Sequence, residues 1–194
     1  MEILMRVLGH MIRARRTALG LTLEALAERA GVSRAMLSDI EREVKNPTIK
    51  VLSQIAEGLE CTVSYLLGEQ PGKTVESIQI VRKNERRVLI DPQSGVERHL
   101  VAPALQHHGI EVLWYVIPPD QRTGSFPPHQ QGVEEHITVV QGCLHCALGE
   151  KYIVLETGDS VFFQADVMHD FYNPGPDVCS YFLIIDSSHK GHVP

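Results

Sequence analysis

Apolar residues recur at helical spacing through the first 67 positions. Ile3, Val7, Leu8, Met11 and Ile12 form one stripe, and Leu23, Leu26 and Ala27 a second. Met36, Leu37 and Ile40 form a third, and Leu52, Ile55, Ala56 and Leu59 a fourth. Helix-end residues separate the stripes: Thr22 and Ser33 stand where N-caps are needed, and Pro47-Thr48 opens IKVLSQIAEGL. Gly20, Gly31 and Gly58 lie in or near the breaks. The spacing predicts four helices and a fifth, short one over Ser64 to Leu67.

After EQPGKT (69–74) the period falls to two. SIQIV, RRVLI, ERHLV, IEVLWYVI, EHITVV, CLHCAL, KYIVLE, SVFF and CSYFLII are separated by Asp-Pro, Ser-Gly, Pro-Pro, Gly-Glu, Thr-Gly-Asp and Pro-Gly-Pro. Short alternating runs joined by tight turns predict an antiparallel sandwich or small barrel. The fold class is therefore α+β in two domains: helical residues 1–68, a linker over 69–77, and a strand-rich domain over 78–194.

Composition agrees with that division. A chain of 194 residues, 43% hydrophobic and 22% charged, has enough apolar material for one or two packed cores. Its net charge of −6 argues against a protein that coats nucleic acid without regard to sequence. The charge is uneven, however: residues 1–68 hold nine Lys and Arg against eight Asp and Glu, and the remainder holds nine against 16. Only His10 precedes position 99; the other nine of the ten histidines begin at His99. No stretch approaches the ~20 apolar residues of a membrane span. Glu2 lies in an N-terminus without a cleavage signal, which predicts a cytoplasmic protein with no membrane partner. The four cysteines, Cys61, Cys143, Cys146 and Cys179, are too few and scattered for a disulfide framework and are expected to be reduced.

The segment LTLEALAERAGVSRAMLSDIERE (21–43) carries the chemistry of the helical part. Ala27 is small enough for two helices to cross closely, and Gly31 can take the positive φ of a tight turn. The predicted result is a helix-turn-helix, with Ser33, Arg34, Ala35 and Ser38 facing outward at the start of the second helix. A bundle used only for packing or dimerisation is the plainer alternative.

Over residues 6–67, including NPTIKVLSQIAEGL, the sequence resembles the phage-repressor-like (XRE) helix-turn-helix family. The resemblance implies a homodimer on a double-stranded DNA operator. Arg34, Ala35 and Ser38 would read base edges, with Ser33 at the groove edge. An arginine at that tip suits a bidentate contact to guanine, worth ~1–3 kcal/mol of discrimination. Arg13, Arg15, Arg16, Arg42, Lys45, Asn46 and Lys50 are candidates for phosphate contacts, which position without reading sequence. Leu23 departs from the glutamine frequent there in the family, and no DNA role is carried onto it.

Two segments stand out in the second part: FPPHQQGVEEHITVVQG (126–142) and TGDSVFFQADVMHDFYNPG (157–175). His129 and Gln131 share one face of an extended segment, with Glu135 seven residues before Gly142. Gly158-Asp159 makes a turn before a strand, and His169, Phe171 and Asn173 alternate onto one face of another. Two histidines and a glutamate converging from separate strands would form the 2-His-1-carboxylate set suited to iron(II) and open to other divalent metals.

Both segments resemble the paired motifs of the cupin superfamily, which implies a small jelly-roll barrel. Gln131 replaces the second histidine of the first motif, and Gln164 and Asp166 replace the usual proline and glycine of the second. The resemblance implies His129, Glu135 and His169 as ligands of a divalent metal such as zinc, iron, manganese or nickel. Gln131 would be a weak fourth ligand or an effector contact. Some sensor cupins have lost the ion, which leaves the histidines as hydrogen-bonding pocket residues. His136 is expected on the opposite face from Glu135. Cys143 and Cys146 have a metal-like spacing but fall on opposite faces of one strand, as core or surface thiols. His107, His108, His189 and His192 are expected in solvated loops and the tail. Trp114, Phe162, Phe163, Phe171, Tyr172, Tyr181 and Phe182 surround the barrel, of which about half can face inward. Trp114, Phe162 and Phe171 are the expected lining of an effector pocket.

The order of the two parts resembles bacterial transcriptional regulators in which a cupin senses a small molecule. DPQSGVERHLVAPAL (91–105) looks like the start of such a sensor. PHQQGVEEH resembles members associated with sulfur and amino-acid metabolism. The same order also occurs in mononuclear-iron epoxidases acting on phosphonates. Against an enzyme stand the intact Arg34 tip and the lack of clustered cations near 126–173, where Arg122 and Lys151 are isolated.

Overall fold

The computed structural model describes residues 2–68, 80–102 and 109–189. It divides into two compact units, Met1–Pro71 and Gly72–Pro194. The expected linker over 69–77, the segment 77–79 of SIQIV, and His107, His108 and His192 lie outside the described residues.

The first unit contains α1 (Glu2–Ala18), α2 (Leu23–Ala30), α3 (Arg34–Glu41), α4 (Ile49–Gly58) and α5 (Val63–Leu66). Four of them begin alike, with a threonine or serine hydroxyl accepting a backbone N–H three residues on. Thr22 accepts from Ala25, Ser33 from Met36, Thr48 from Val51 and Thr62 from Tyr65. Each cap satisfies a donor that the helix cannot, at a gain of about 1 kcal/mol. Gly31 ends α2 at φ 62°, its N–H reaching Ala27 and Glu28 carbonyls. The apolar stripes meet in one core containing Leu8, Ile12, Leu26, Leu37, Ile40, Leu52, Ile55, Leu59 and Leu66, each at most 1% exposed.

Gly58, expected in or near a break, is the last residue of α4. A Cβ there would lie 3.2 Å from both the Ala30 nitrogen and Leu26 Cδ1. The glycine therefore permits close packing of α4 on α2.

The described residues of the second unit form ten strands, all antiparallel to their neighbours. They are β1 (Val88–Ile90), β2 (Glu97–Leu100), β3 (Ile110–Ile117), β4 (Gln121–Arg122), β5 (Glu134–Gln141), β6 (Cys143–Leu148), β7 (Lys151–Glu156), β8 (Ser160–Gln164), β9 (His169–Asn173) and β10 (Cys179–Asp186). One sheet runs β1-β2-β3-β10-β5-β8 and the other β4-β9-β6-β7. Burial alternates along β3, where Glu111, Leu113, Tyr115 and Ile117 point inward. Leu144, Cys146 and Leu148 do so along β6, and His169, Phe171 and Asn173 along β9. Instead of continuing the expected run SIQIV as a strand, residue Ile80 is 63% exposed and a short 3-10 turn follows over Lys83–Glu85.

Two motif positions prove to be architectural. Gly142 turns β5 into β6 at φ 85°, with a potential Cβ only 3.0 Å from Cys179 Cα. Asn173 is 1% exposed and donates to the carbonyls of Ile117, Pro118 and Asp177, while its own oxygen accepts the Gly175 N–H. It closes the turn after β9.

Candidate functional site

The start of α3 presents Ser33, Arg34 and Ala35 to solvent, with Ser38 half-buried one turn on. Burial of Leu37 and Ile40 against the other helices turns this edge outward. The Arg34 guanidinium lies 2.5 Å from a Glu24 carboxylate oxygen, both side chains more than 60% exposed. Glu24's own backbone N–H and then Arg34 hold its carboxyl below the usual range.

The phosphate candidates separate into two groups. Arg13, Arg42, Lys45 and Asn46 are exposed and Lys50 is half-buried. Arg42 also pairs with Asp39 at 2.7 Å on its own helix. Arg16 corrects the expectation: Nε and Nη2 donate to the two Glu41 oxygens at 2.6 and 2.8 Å, and Nη1 donates to the Leu21 carbonyl. With 11% of its side chain exposed, Arg16 ties α1 to α3 instead of facing a phosphate. Arg15 is also engaged internally, donating to the carbonyls of Leu59 and Glu60 and lying over the Tyr65 ring.

In the second unit His129, Glu135 and His169 converge. Their ligand atoms lie within 4.8 Å of one another. Glu135 Oε1 is 3.3 Å from His129 Nε2 and 3.6 Å from His169 Nε2. Each comes from a different element: His129 from the loop before β5, Glu135 from the inner face of β5, and His169 from the first position of β9. The loop is tied down by the His129 N–H donating to the Ala165 carbonyl. His169 is 2% exposed and packed by the rings of Phe126, Phe163 and Phe171.

The donor set fits a divalent cation. His169 Nδ1 lies 2.9 Å from the Val167 carbonyl, which only accepts, so Nδ1 carries a hydrogen and Nε2 is the ring nitrogen turned toward Glu135. Glu135 Oε2 is buried with no hydrogen-bond partner among the described residues. A buried carboxylate oxygen without a partner, beside two imidazole nitrogens, is a costly arrangement that a bound cation would relieve. Ligand atoms ~2.1 Å from one metal sit ~3.0–3.4 Å apart, near the two Glu135–histidine separations of 3.3 and 3.6 Å. A metal held here would supply Lewis acidity and open coordination positions.

Other expected residues lie elsewhere. Gln131 is exposed in the turn before β5, and His136 is exposed on the outer face of that strand. Phe162 corrects the expected pocket: it is 55% exposed, and its neighbour Phe163 packs against His169. Trp114 is likewise on the outer face of β3, edge-on to Phe182 at 4.8 Å. Phe171 does point inward, 1% exposed. Alternation puts adjacent aromatics on opposite faces, so the inward members are Tyr115 on β3 and Phe163 on β8. Tyr115 and Tyr181 complete the inner aromatic wall, stacked at 5.3 Å.

Missed altogether was an ion pair within the barrel, Arg98 Nη2 to Glu111 Oε2 at 3.1 Å, with side chains 2% and 7% exposed. The available signal was a charged residue at an inward position of an apolar strand, in ERHLV and again in IEVLWYVI.

Residues 12–66 match the Helix-turn-helix (HTH_3) family model, and residues 113–185 match the Cupin domain (Cupin_2) model. The chain is 29% identical over 188 residues to the HTH-type transcriptional regulator SutR of Escherichia coli, covering 95% of this chain and 97% of that one. It resembles the crystal structure of an HTH_3 family transcriptional regulator from Vibrio cholerae with a TM-score of 0.79. That match is 26% identical and covers 95% of this chain and 97% of the other. The FeII form of HppE shares the fold at a TM-score of 0.51 and 18% identity, over 93% of this chain and 98% of HppE. Among the described residues no helix is long and apolar enough to cross a membrane. The chain is a transcriptional regulator that carries an N-terminal helix-turn-helix domain of the XRE type and a C-terminal cupin domain.

Proposed function

We propose that this regulator binds a two-fold-symmetric DNA operator as a homodimer and that its cupin barrel senses a small molecule with a divalent metal at His129, Glu135 and His169. The observation that carries the DNA half is the outward-facing start of α3, where the Ser33 cap and the Gly31 turn leave Arg34 and Ala35 exposed. Ser38 is the third candidate reader.

Arg34 exchanges one partner for another on binding. An exposed ion pair such as Arg34–Glu24 contributes little in water, whereas a bidentate contact to guanine discriminates by ~1–3 kcal/mol. Glu24 thus holds the guanidinium near its working position without trapping it. Arg13, Arg42, Lys45, Asn46 and Lys50 supply the phosphate contacts, which make affinity fall steeply with salt.

Regulation follows if the two states of the dimer place the recognition helices differently. A barrel ligand shifts operator affinity only as far as it binds one state better, typically ~1–3 kcal/mol of coupling.

Selection from a random double-stranded DNA pool tests this reading. A two-fold-symmetric motif with guanines in each half-site, recovered by wild type and lost with Arg34→Ala, is the expected result. Failure to enrich any motif, with and without added divalent metal, would remove the DNA-reading role.

A further inference from the structure

Three polar atoms inside the barrel are buried without a hydrogen-bond partner among the described residues: Glu135 Oε2, Arg98 Nη1 and the Tyr181 hydroxyl. Native interiors leave few such atoms, because each has given up water for nothing. The metal proposed above answers the first. It leaves the second and third, which are a donor that stays charged and a hydroxyl that can donate.

These groups share one interior. Arg98 on β2 is in register with Tyr115 on β3, and Tyr115 is in register with Tyr181 on β10 and stacked on it. Tyr181 contacts Phe171 at 5.9 Å between ring centres, and Phe171 contacts His169 at 5.8 Å. The ring path therefore runs from the guanidinium to the candidate metal ligands. Glu111 and Glu135 lie on either side of Ile185 in register, two strand spacings or ~10 Å apart at the backbone. Burial pushes the Tyr115 phenol up to about 12 against the pull of the Arg98 charge and of a side-chain hydrogen bond with Arg98, while Glu135 and Glu111 push it further up. The guanidinium thus engages Glu111 and Tyr115 and leaves Nη1 over.

Charge decides what fits. Arg98 and Glu111 cancel, while a divalent ion beside Glu135 leaves one positive charge in the barrel. A single anionic group restores neutrality, and a guanidinium with a terminal nitrogen to spare is built to hold a carboxylate. We propose that the barrel's effector is a small monocarboxylate, its carboxylate held by Arg98 Nη1 and the Tyr181 hydroxyl and its other end directed toward His129, Glu135 and His169. This inference rests on the barrel being the effector site. It adds a ligand class and two recognition residues.

The test titrates the full chain, loaded with Co(II), against two- to six-carbon 2-oxo, 2-hydroxy and 2-amino monocarboxylates and their matching carboxamides. At least one acid binds at sub-millimolar concentration, its carboxamide ~10-fold or more weaker. Arg98→Lys keeps a charge opposite Glu111 but loses the fork, and weakens the acid ~10–100-fold. Tyr181→Phe weakens it ~3–10-fold. In both variants the Co(II) absorption bands before ligand addition match wild type. Should Arg98→Lys fail to fold, the double variant Arg98→Met with Glu111→Leu removes the pair without stranding a charge, and it too loses the acid.

No binding by any acid, equal binding of acid and carboxamide, or wild-type affinity in the Arg98 variants would overturn the inference and leave the site to a trapped water. Operator binding measured on the same samples separates the two readings. Acid binding lost with operator binding intact refutes only the carboxylate site, and the reverse refutes only the DNA-reading role.

Discussion

Arg16 on α1 and Glu41 on α3 form a two-point ion pair, at 2.6 and 2.8 Å, that ties the two helices together. Both side chains are largely buried, at 11% and 7% exposure. The hydrogen bond to Glu41 raises the Arg16 pKa further, so the charge is permanent at any pH the fold survives. Removing one partner strands the other away from water. Glu41→Ala should lower the stability of the helical domain by ~2–3 kcal/mol, below the ~3–5 of a fully buried pair because some solvent remains. Urea unfolding of the full chain measures it. A change under about 0.5 kcal/mol, the level of an ordinary surface substitution, would show that the pair is incidental.

The metal ligands predict a distinct pattern. One divalent ion per chain should bind, and His169→Ala or Glu135→Gln should weaken it ~10–100-fold or more, as loss of a ligand demands. Gln131→Ala and His136→Ala, both exposed, should bind as wild type within ~3-fold. Co(II) titration followed by absorbance reads all four. A Gln131→Ala variant that loses the ion would return the glutamine to the ligand set.

Among the thiols, burial is the first cause that pushes Cys146 and Cys179 up to about 12. Only the thiolate is nucleophilic, so both should resist iodoacetamide at pH ~8 in the native protein. Cys61 and Cys143 are partly accessible and should be modified first, Cys143 slowly because burial and Glu156 raise its pKa also. Mass spectrometry of native and urea-unfolded samples gives the comparison. Equal labelling of Cys146 and Cys61 in the native state would mean that the barrel opens readily.

The parts legible in the sequence were those encoded locally. The hydroxyls of Thr22, Ser33 and Thr48 mark helix starts by chemistry that acts over three residues, and Gly31 marks its turn by the φ it alone adopts cheaply. The His129, Glu135 and His169 grouping was readable from two motifs despite their separation of 40 positions. Long-range pairing was not. Nothing near Arg16 announces Glu41, so its charge was assigned to DNA when the fold uses it internally. Trp114-Tyr115 and Phe162-Phe163 each place aromatics on both faces of a strand. Which one faces inward is set by the register with β10 and β5, which no local pattern carries. Arg98 and Glu111 were overlooked because a charge in a strand reads as an outward position until its partner is known.

The central claim, that Arg34 reads guanine from the start of α3, is tested most directly by four dissociation constants. Wild type and Arg34→Ala are each measured on the selected operator and on one with the implicated guanines replaced, at one fixed salt concentration. Wild type should lose ~10–100-fold per half-site on the replaced operator, while Arg34→Ala should bind both operators alike. Equal discrimination by wild type and Arg34→Ala would contradict the claim and place the base-reading contact on another residue.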